Sequence, residues 1–283
     1  MKLATFESAG TTRFGVVVGD GIVDLTDVSL ASDMVSLIAA WPRVKGDVHK
    51  LVQATKPQFK LSAVRLKAPV PQPQKILAIG LNYADHIEES GQPKPERQIW
   101  FSKLANAVNG PFDPILLPKV SASVDYEAEL VVVIGKRCRH VAKKDAADVI
   151  FGYCAGNDVS VRDWQFHTTQ WLLGKSFDTH APFGPWIVTA DELGDPHALG
   201  IRCLVNGALR QNSNTKHLVF NILDQIALLS QAVTLEPGDV IFTGTPGGVG
   251  FAMKPPVFLK AGDVVRVEID RIGALEARCE AEA

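Results

Sequence analysis

The decisive stretch of the chain is Asp125-Tyr126-Glu127-Ala128-Glu129-Leu130-Val131-Val132-Val133-Ile134. Its second half is an unbroken apolar run, rich in β-branched residues and stopped by Gly135, as in a strand buried on both faces. Its first half carries two carboxylates two residues apart. Side chains at i and i+2 on a strand point to one face, so Glu127 and Glu129 would project together. At the start of a buried strand they repel each other unless positive charge lies between them. A hard divalent cation such as Mg²⁺, bound through oxygen ligands, would satisfy both. A solvent-facing pair at a sheet edge has the same spacing, and the pattern alone leaves both readings open.

Around this stretch, 23 glycines and 17 prolines cut the chain into many short β-like runs. Downstream, Glu236-Pro237-Gly238-Asp239 and Lys260-Ala261-Gly262-Asp263 are near-duplicate turns that feed strands at Val240–Thr243 and Val264–Ile269. Phe220 to Ala232 has the clearest helical spacing, and Lys144 to Phe151 reads as a helix on Ala147, Ile150 and Phe151. Upstream, Lys75 to Leu81 is a buried-strand run. Phe14–Val18 and Ile22–Leu25, joined through Gly19-Asp20-Gly21, form a hairpin. Ser32 to Trp41 predicts a short helix capped by Ser32, and the polar Lys45–Lys60 stretch a second, weaker one. Ala68-Pro69-Val70-Pro71-Gln72-Pro73-Gln74 is a stiff, extended linker by composition. The boundary falls there: residues 1–68 form a small N-terminal accessory module, and residues 69–283 the main body. Many strands and few helices give an α+β, mostly β class rather than a doubly wound sheet.

Composition narrows the function. Twenty-nine basic residues against 31 acidic ones leave a formal net charge of -2, so nucleic acid is not the expected partner. No apolar run approaches the about 18 residues that span a bilayer, and no signal-peptide core follows Met1-Lys2-Leu3. The expectation is a soluble, cytoplasmic protein. Cys138, Cys154, Cys203 and Cys279 lack metal-finger or redox spacing and read as free thiols. Gly174-Lys175-Ser176 imitates the end of a phosphate loop, but Thr169 stands where the opening glycine belongs.

Other residues suggest chemistry singly. Asp158 follows an apolar run, in a position suited to a third oxygen ligand and equally to an ordinary turn. Arg162 and Gln165 follow it at near-helical spacing. His86 and Glu89, three apart in a helix-compatible stretch, can share a face, where the carboxylate would fix the imidazole tautomer and raise its basicity. Lys175 sits between Gly174 and Ser176, where a small neighbour permits close approach.

Together these residues resemble the fumarylacetoacetate hydrolase family. The matching text is Gly80-Leu81-Asn82-Tyr83-Ala84-Asp85-His86, Asp125–Glu129, Asn157–Asp163, Gly174–Thr179 and Thr243–Gly250, in the family's order. Gln170–Thr179 is most similar to the domain-containing 2-like and bacterial 2-keto acid hydrolase or isomerase branch. The resemblance implies a β-roll catalytic domain, a homodimer, and a Mg²⁺ or Mn²⁺ site made by Glu127, Glu129 and Asp158. It implies that His86 and Glu89 ride on a lid helix and that Lys175 faces the substrate oxygens. Gly244 and Thr245 would line the carboxylate end, with Arg162 and Gln165 nearby.

The implied reaction is Mg²⁺-dependent hydrolysis of a C–C bond in a small 2,4-diketo acid of the acylpyruvate or fumarylpyruvate type, through an enolate. Oxaloacetate decarboxylation and 2-hydroxymuconate-type isomerisation pass through the same intermediate. A ureido-acid lyase and a non-catalytic binding dimer are more distant. The intact set His86, Glu89, Glu127, Glu129, Asp158 and Lys175 argues against an idle scaffold.

Overall fold

A computed structural model describes residues 1–283. The chain opens with β1 (Lys2–Ser8), β2 (Thr11–Val18), β3 (Gly21–Asp24), helix α1 (Met34–Ala54) and the short β4 (Phe59–Lys60) and β5 (Arg65–Leu66). Then come β6 (Ile76–Gly80), α2 (Ala84–Ser90), β7 (Ile99–Lys103), β8 (Val108–Asn109), β9 (Ile115–Leu117) and β10 (Val124–Asp125). The centre holds β11 (Ala128–Ile134), β12 (Ile150–Asn157), β13 (Ser160–Val161), α3 (Arg162–Gln165), β14 (Ala181–Thr189) and α4 (Ala190–Leu193). The last stretch is β15 (Gly200–Val205), β16 (Ala208–Asn214), α5 (Ile222–Ala232), β17 (Val240–Phe242), β18 (Val264–Ile269) and β19 (Gly273–Ala281).

Two sheets face each other. The larger runs β4-β3-β2-β1-β14-β12-β11-β17-β6-β7, and the smaller runs β16-β15-β18-β19-β9. All seven residues of β11 are buried, as its continuous apolar run requires. Strands of the smaller sheet alternate instead: Ile201, Cys203 and Val205 of β15 and Val265, Val267 and Ile269 of β18 point inward. They share one apolar core with Leu130 and Val132 of β11.

Strand direction gathers the site. β11 is antiparallel to both β12 and β17, and β17 is parallel to β6. The start of β11 therefore lies at the edge where β12, β17 and β6 all end. Glu127 and Glu129, Asp158, the Thr243–Gly250 loop and the turn into α2 converge at that edge.

Packing crosses the expected boundary at 68/69. β1 joins the large sheet through Lys2↔Val188 and Leu3↔Ile187 of β14, and Leu3, Phe14 and Leu37 share a core with Val131 and Phe242. The Pro-rich stretch is fixed too, since Thr5 Oγ1 donates to Pro69 O at 2.6 Å.

Three local expectations need correction. The two helices expected after the first hairpin are one helix of 21 residues, α1, with Pro42 inside it. Pro42 directly follows the first expected helix, yet it does not end α1. The buried face of Met34, Leu37, Ile38 and Val48 outweighs one missing backbone hydrogen bond. Its cap is Asp33, not Ser32: Asp33 Oδ1 accepts from Ser36 N at 2.7 Å, and Ser36 Oγ accepts from Asp33 N at 3.0 Å. The helix expected over Lys144–Phe151 is a 3-10 stretch, Lys143–Val149, after which Ile150 and Phe151 open β12. Phe151 is instead held edge-on against Trp41 of α1, with ring centroids 5.4 Å apart. The four cysteines are free thiols.

Candidate active site

Glu127, Glu129 and Asp158 each direct a carboxylate oxygen into a space where all three lie within 4.8 Å of one another. The backbone sets this arrangement. Asp158 N donates to Glu127 O at 2.9 Å, and Asn157 Oδ1 accepts from Glu127 N at 2.9 Å. Glu129 Oε2 accepts from Gly244 N at 2.7 Å. Gly244 has φ of +103°, a backbone region that residues with a Cβ rarely adopt.

Three buried cations hold the carboxylates in place. Lys175 Nζ lies 2.8 Å from Glu127 Oε2 and 2.7 Å from Asp158 Oδ2. Lys103 Nζ takes the other Asp158 oxygen at 2.5 Å and also donates to Val159 O at 3.1 Å. Arg162 Nη1 lies 2.6 Å from Glu127 Oε1, and its Nη2 lies 2.7 Å from Asp125 Oδ2. Asp125 in turn accepts from the backbone N–H groups of Gly250 and Phe251 at 2.8 and 2.9 Å.

The charges are unevenly met. Burial works against the Glu127 charge, but Lys175 and Arg162 outweigh it and pull its pKa down to about 2. Glu129 has no cation of its own. Burial, then the neighbouring Asp158 and Glu127, push its carboxyl well above the ordinary range. Burial opposes the Lys175 charge as well, yet Asp158 and Glu127 hold its pKa above the usual value. An all-oxygen donor set with one uncompensated carboxylate fits a hard divalent cation, which would relieve the charge crowding at Glu129.

Above this floor stands α2. Glu89 Oε2 is 3.5 Å from His86 Nδ1, a distance at which Nδ1 makes no hydrogen bond. Catalytic contacts of this kind often tighten only around substrate. Asp85, one turn earlier, accepts from Ser213 Oγ of β16 and from Gly247 N at 3.4 Å.

One cavity of about 580 Å³ lies between floor and helix. His86, Glu89, Glu127, Glu129, Lys175, Arg162, Gln165 and Thr245 all line it. Four aromatic rings, Phe101, Phe166, Trp171 and Phe251, join its lining, and Lys175 Nζ lies 4.9 Å from the centroid of Phe101. Two expected residues sit behind this surface: Asp158 is fully buried beneath Lys175, and Gly244 spends its N–H on Glu129. Arg162 and Gln165 are buried, and Arg162 is engaged by Asp125 and Glu127 while its Nη1 donates to Gln165 Oε1 at 2.9 Å. Sequence reasoning missed Lys103, the last residue of β7. No motif surrounds it, and its one signal is a lysine closing an otherwise apolar strand run.

Comparison with known proteins identifies the family. Residues 75–280 match the model described as fumarylacetoacetate hydrolase C-terminal. The chain is 47% identical to the oxaloacetate tautomerase fahd2, mitochondrial, of Xenopus laevis, over 97% of this chain and 89% of that one. It is 44% identical to the human oxaloacetate tautomerase FAHD2A, mitochondrial, over 91% of this chain and 83% of that one. Among solved structures, maleylpyruvate hydrolase from Sphingobium sp. SYK-6, in complex with manganese(II) and pyruvate, superimposes with a TM-score of 0.86 and 36% identity over the whole of both chains. A 5-carboxymethyl-2-hydroxymuconate delta-isomerase from Mycobacterium smegmatis gives 0.80 and 36%, again with full coverage. With its family text in order and its carboxylates, lysine and histidine facing one cavity, this chain belongs to the fumarylacetoacetate hydrolase family of enzymes.

Proposed function

We propose that this enzyme interconverts the keto and enol forms of oxaloacetate or a close 2-oxo dicarboxylate. The observation that carries the reading is His86 facing, across one cavity, Glu127, Glu129 and Lys175, with Asp158 directly behind them. The relatives named as oxaloacetate tautomerases support the choice of substrate. Glu127, Glu129 and Asp158 would hold the divalent ion, which when bound supplies Lewis-acid polarisation of the substrate's 2-oxo and carboxylate oxygens. Thr245 lines the carboxylate end. His86, oriented by Glu89, takes a proton from carbon 3. The C–H electron pair becomes the C2=C3 bond, the 2-oxo oxygen gains charge beside Lys175, and a proton delivered to that oxygen completes the enol.

A second reading is hydrolysis of an acylpyruvate, the reaction that the sequence put first. The cavity favours it: about 580 Å³ lined by four aromatic rings is more than a four-carbon acid needs. In that reaction His86 would take its proton from water. The deciding experiment follows enol absorbance and pyruvate release for oxaloacetate, maleylpyruvate and fumarylpyruvate, each with Mg²⁺, Mn²⁺ or chelator. Ion-dependent enol decay without pyruvate release is the expected result. Pyruvate release from the larger acids selects hydrolysis, and pyruvate from oxaloacetate selects decarboxylation. No ion-dependent change with any acid overturns the proposal.

The same proposal includes Mg²⁺ as the ion, a homodimer, a cytoplasmic location and an accessory role for residues 1–68. Metal analysis of the isolated protein, light scattering and cell fractionation test the first three. No helix of the chain is long and apolar enough to cross a membrane.

A further inference from the structure

Gln211 lies on β16, in the smaller sheet, fully buried and outside the cavity lining. Its amide bridges three elements of the site. Oε1 accepts from Ala128 N, between Glu127 and Glu129, at 2.9 Å. Nε2 donates to Pro246 O and to Thr245 Oγ1, both at 2.8 Å.

The amide cannot be turned over. A backbone N–H only donates and a proline carbonyl only accepts, so the first must meet Oε1 and the second Nε2. Thr245 Oγ1 is therefore committed as an acceptor towards Gln211. A hydroxyl keeps one proton to give, and no protein group accepts it from Thr245. Thr245 is almost wholly buried and its remaining face lines the cavity.

We infer that Gln211 is a positioning residue which fixes Thr245 as a hydrogen-bond donor into the cavity, and so selects an ionised carboxylate oxygen at that end of the substrate. This rests on the reading above that Thr245 lines the carboxylate end. The chemistry follows from polarity alone. A donor held in a buried wall rewards an anionic oxygen and leaves an amide or protonated acid worse served.

Oxalate, which presents ionised carboxylate oxygens, is the probe, titrated calorimetrically into the Mn²⁺-loaded protein, with Mn²⁺ affinity measured separately. Thr245→Val should weaken oxalate roughly tenfold to a hundredfold, the range for one hydrogen bond to a charged group, while Thr245→Ser stays near the parent. Gln211→Leu should weaken oxalate to a similar extent, with Mn²⁺ affinity within about threefold of the parent. In the Thr245→Val background the same Gln211→Leu change should add less than about threefold, because its effect runs through the missing hydroxyl. Losses that multiply in the double variant overturn the inference, as does a parallel fall in Mn²⁺ affinity for Gln211→Leu. If Gln211→Leu does not fold, Gln211→Glu serves: its carboxylate turns the Thr245 proton away from the cavity and should weaken oxalate, and unchanged affinity overturns the inference. Unchanged oxalate affinity in Thr245→Val sinks the underlying reading instead, whatever Gln211 does.

Discussion

Glu89 closes on Gly248: both carboxylate oxygens of the helical residue lie 2.9 Å from the one backbone N–H in the glycine loop. Gly248 has φ of +99°, and a Cβ there would run into the backbone of Arg210, so the close approach depends on glycine. Glu89 thus docks α2 onto the loop, and in the proposed mechanism it also orients His86.

The two roles separate by substitution. Glu89→Gln keeps an oxygen for the Gly248 N–H but removes the charge beside His86. It should lower turnover by about 10² to 10⁴, with oxalate affinity near the parent value. Glu89→Ala loses both contacts and should also weaken oxalate. Full turnover in Glu89→Gln, on every acid the parent processes, would remove the dyad from the mechanism.

Glu129 is the carboxylate without a cation, so it should contribute most directly to ion binding. Glu129→Ala should weaken Mg²⁺ at least about tenfold by calorimetry, roughly 1.4 kcal/mol. It should also raise the stability of the metal-free protein or leave it unchanged, since a crowded carboxylate is removed. Unchanged Mg²⁺ affinity would move the ion elsewhere.

Lys103 and Lys175 share Asp158, one on each oxygen, but only Lys175 lines the cavity. Lys175→Met should therefore cost both turnover and oxalate affinity. Lys103→Met should act mainly on stability, because breaking a buried pair from one side costs about 3–5 kcal/mol. For a chain of this size that lowers Tm by roughly 5 to 8 °C. Equal losses of oxalate affinity in the two variants would contradict this division.

His180 gives the fold an acid limit. Its Nε2 donates to Leu116 O at 2.8 Å, Nδ1 has no partner, and burial pulls the imidazole down to about 4. In the unfolded chain it titrates near 6.5. Below that value the unfolded state binds a proton that the folded state refuses. Stability is therefore lost from about pH 6.5 downward and fully lost near pH 4, to the extent of about 3 kcal/mol. His180→Gln keeps a donor for Leu116 O and should flatten the slope of unfolding free energy between pH 6.5 and 4. An unchanged slope would assign the acid sensitivity to other groups.

Removing residues 1–68 should not take a side chain from the cavity, whose lining begins at Ile79. It would, however, uncover the β14 edge and the core beneath Leu3, Phe14 and Leu37. The shortened chain should aggregate or melt far below the parent in a thermal scan. A monodisperse, active fragment would show that the module is dispensable for folding as well as for chemistry.

Legibility in the sequence followed the range of the interactions. The Leu130–Ile134 strand and the shared face of Glu127 and Glu129 are short-range patterns that could be read directly; the spacing left open whether that pair meets an ion or solvent, and His86 with Glu89 gained meaning only from the family resemblance. The pairing of the 236–239 and 260–263 turns was equally local: each aspartate side chain accepts from the first residue of its own turn. Lys103 and Gln211 escaped notice because their roles exist only across long sequence separations, to Asp158 and to Ala128 and Thr245. α1 was misread for the opposite reason. Pro42 is a strong local signal, and the tertiary burial that overrides it is not local.

β1 meets β14 only at Ile187 and Val188, so the ribosome must make most of the chain before that pairing can form. At 5–20 residues per second the wait is roughly 10 to 40 s. During that time β1 is paired with β2 and, at Phe6 and Glu7, with β5, while α1 covers Leu3, Phe14 and Leu25; only the Lys2–Leu3 end lacks its strand partner. The amino-terminal meander can thus close on α1 early, and only its Lys2–Leu3 end waits for the centre of the chain, far in sequence from any residue that lines the cavity.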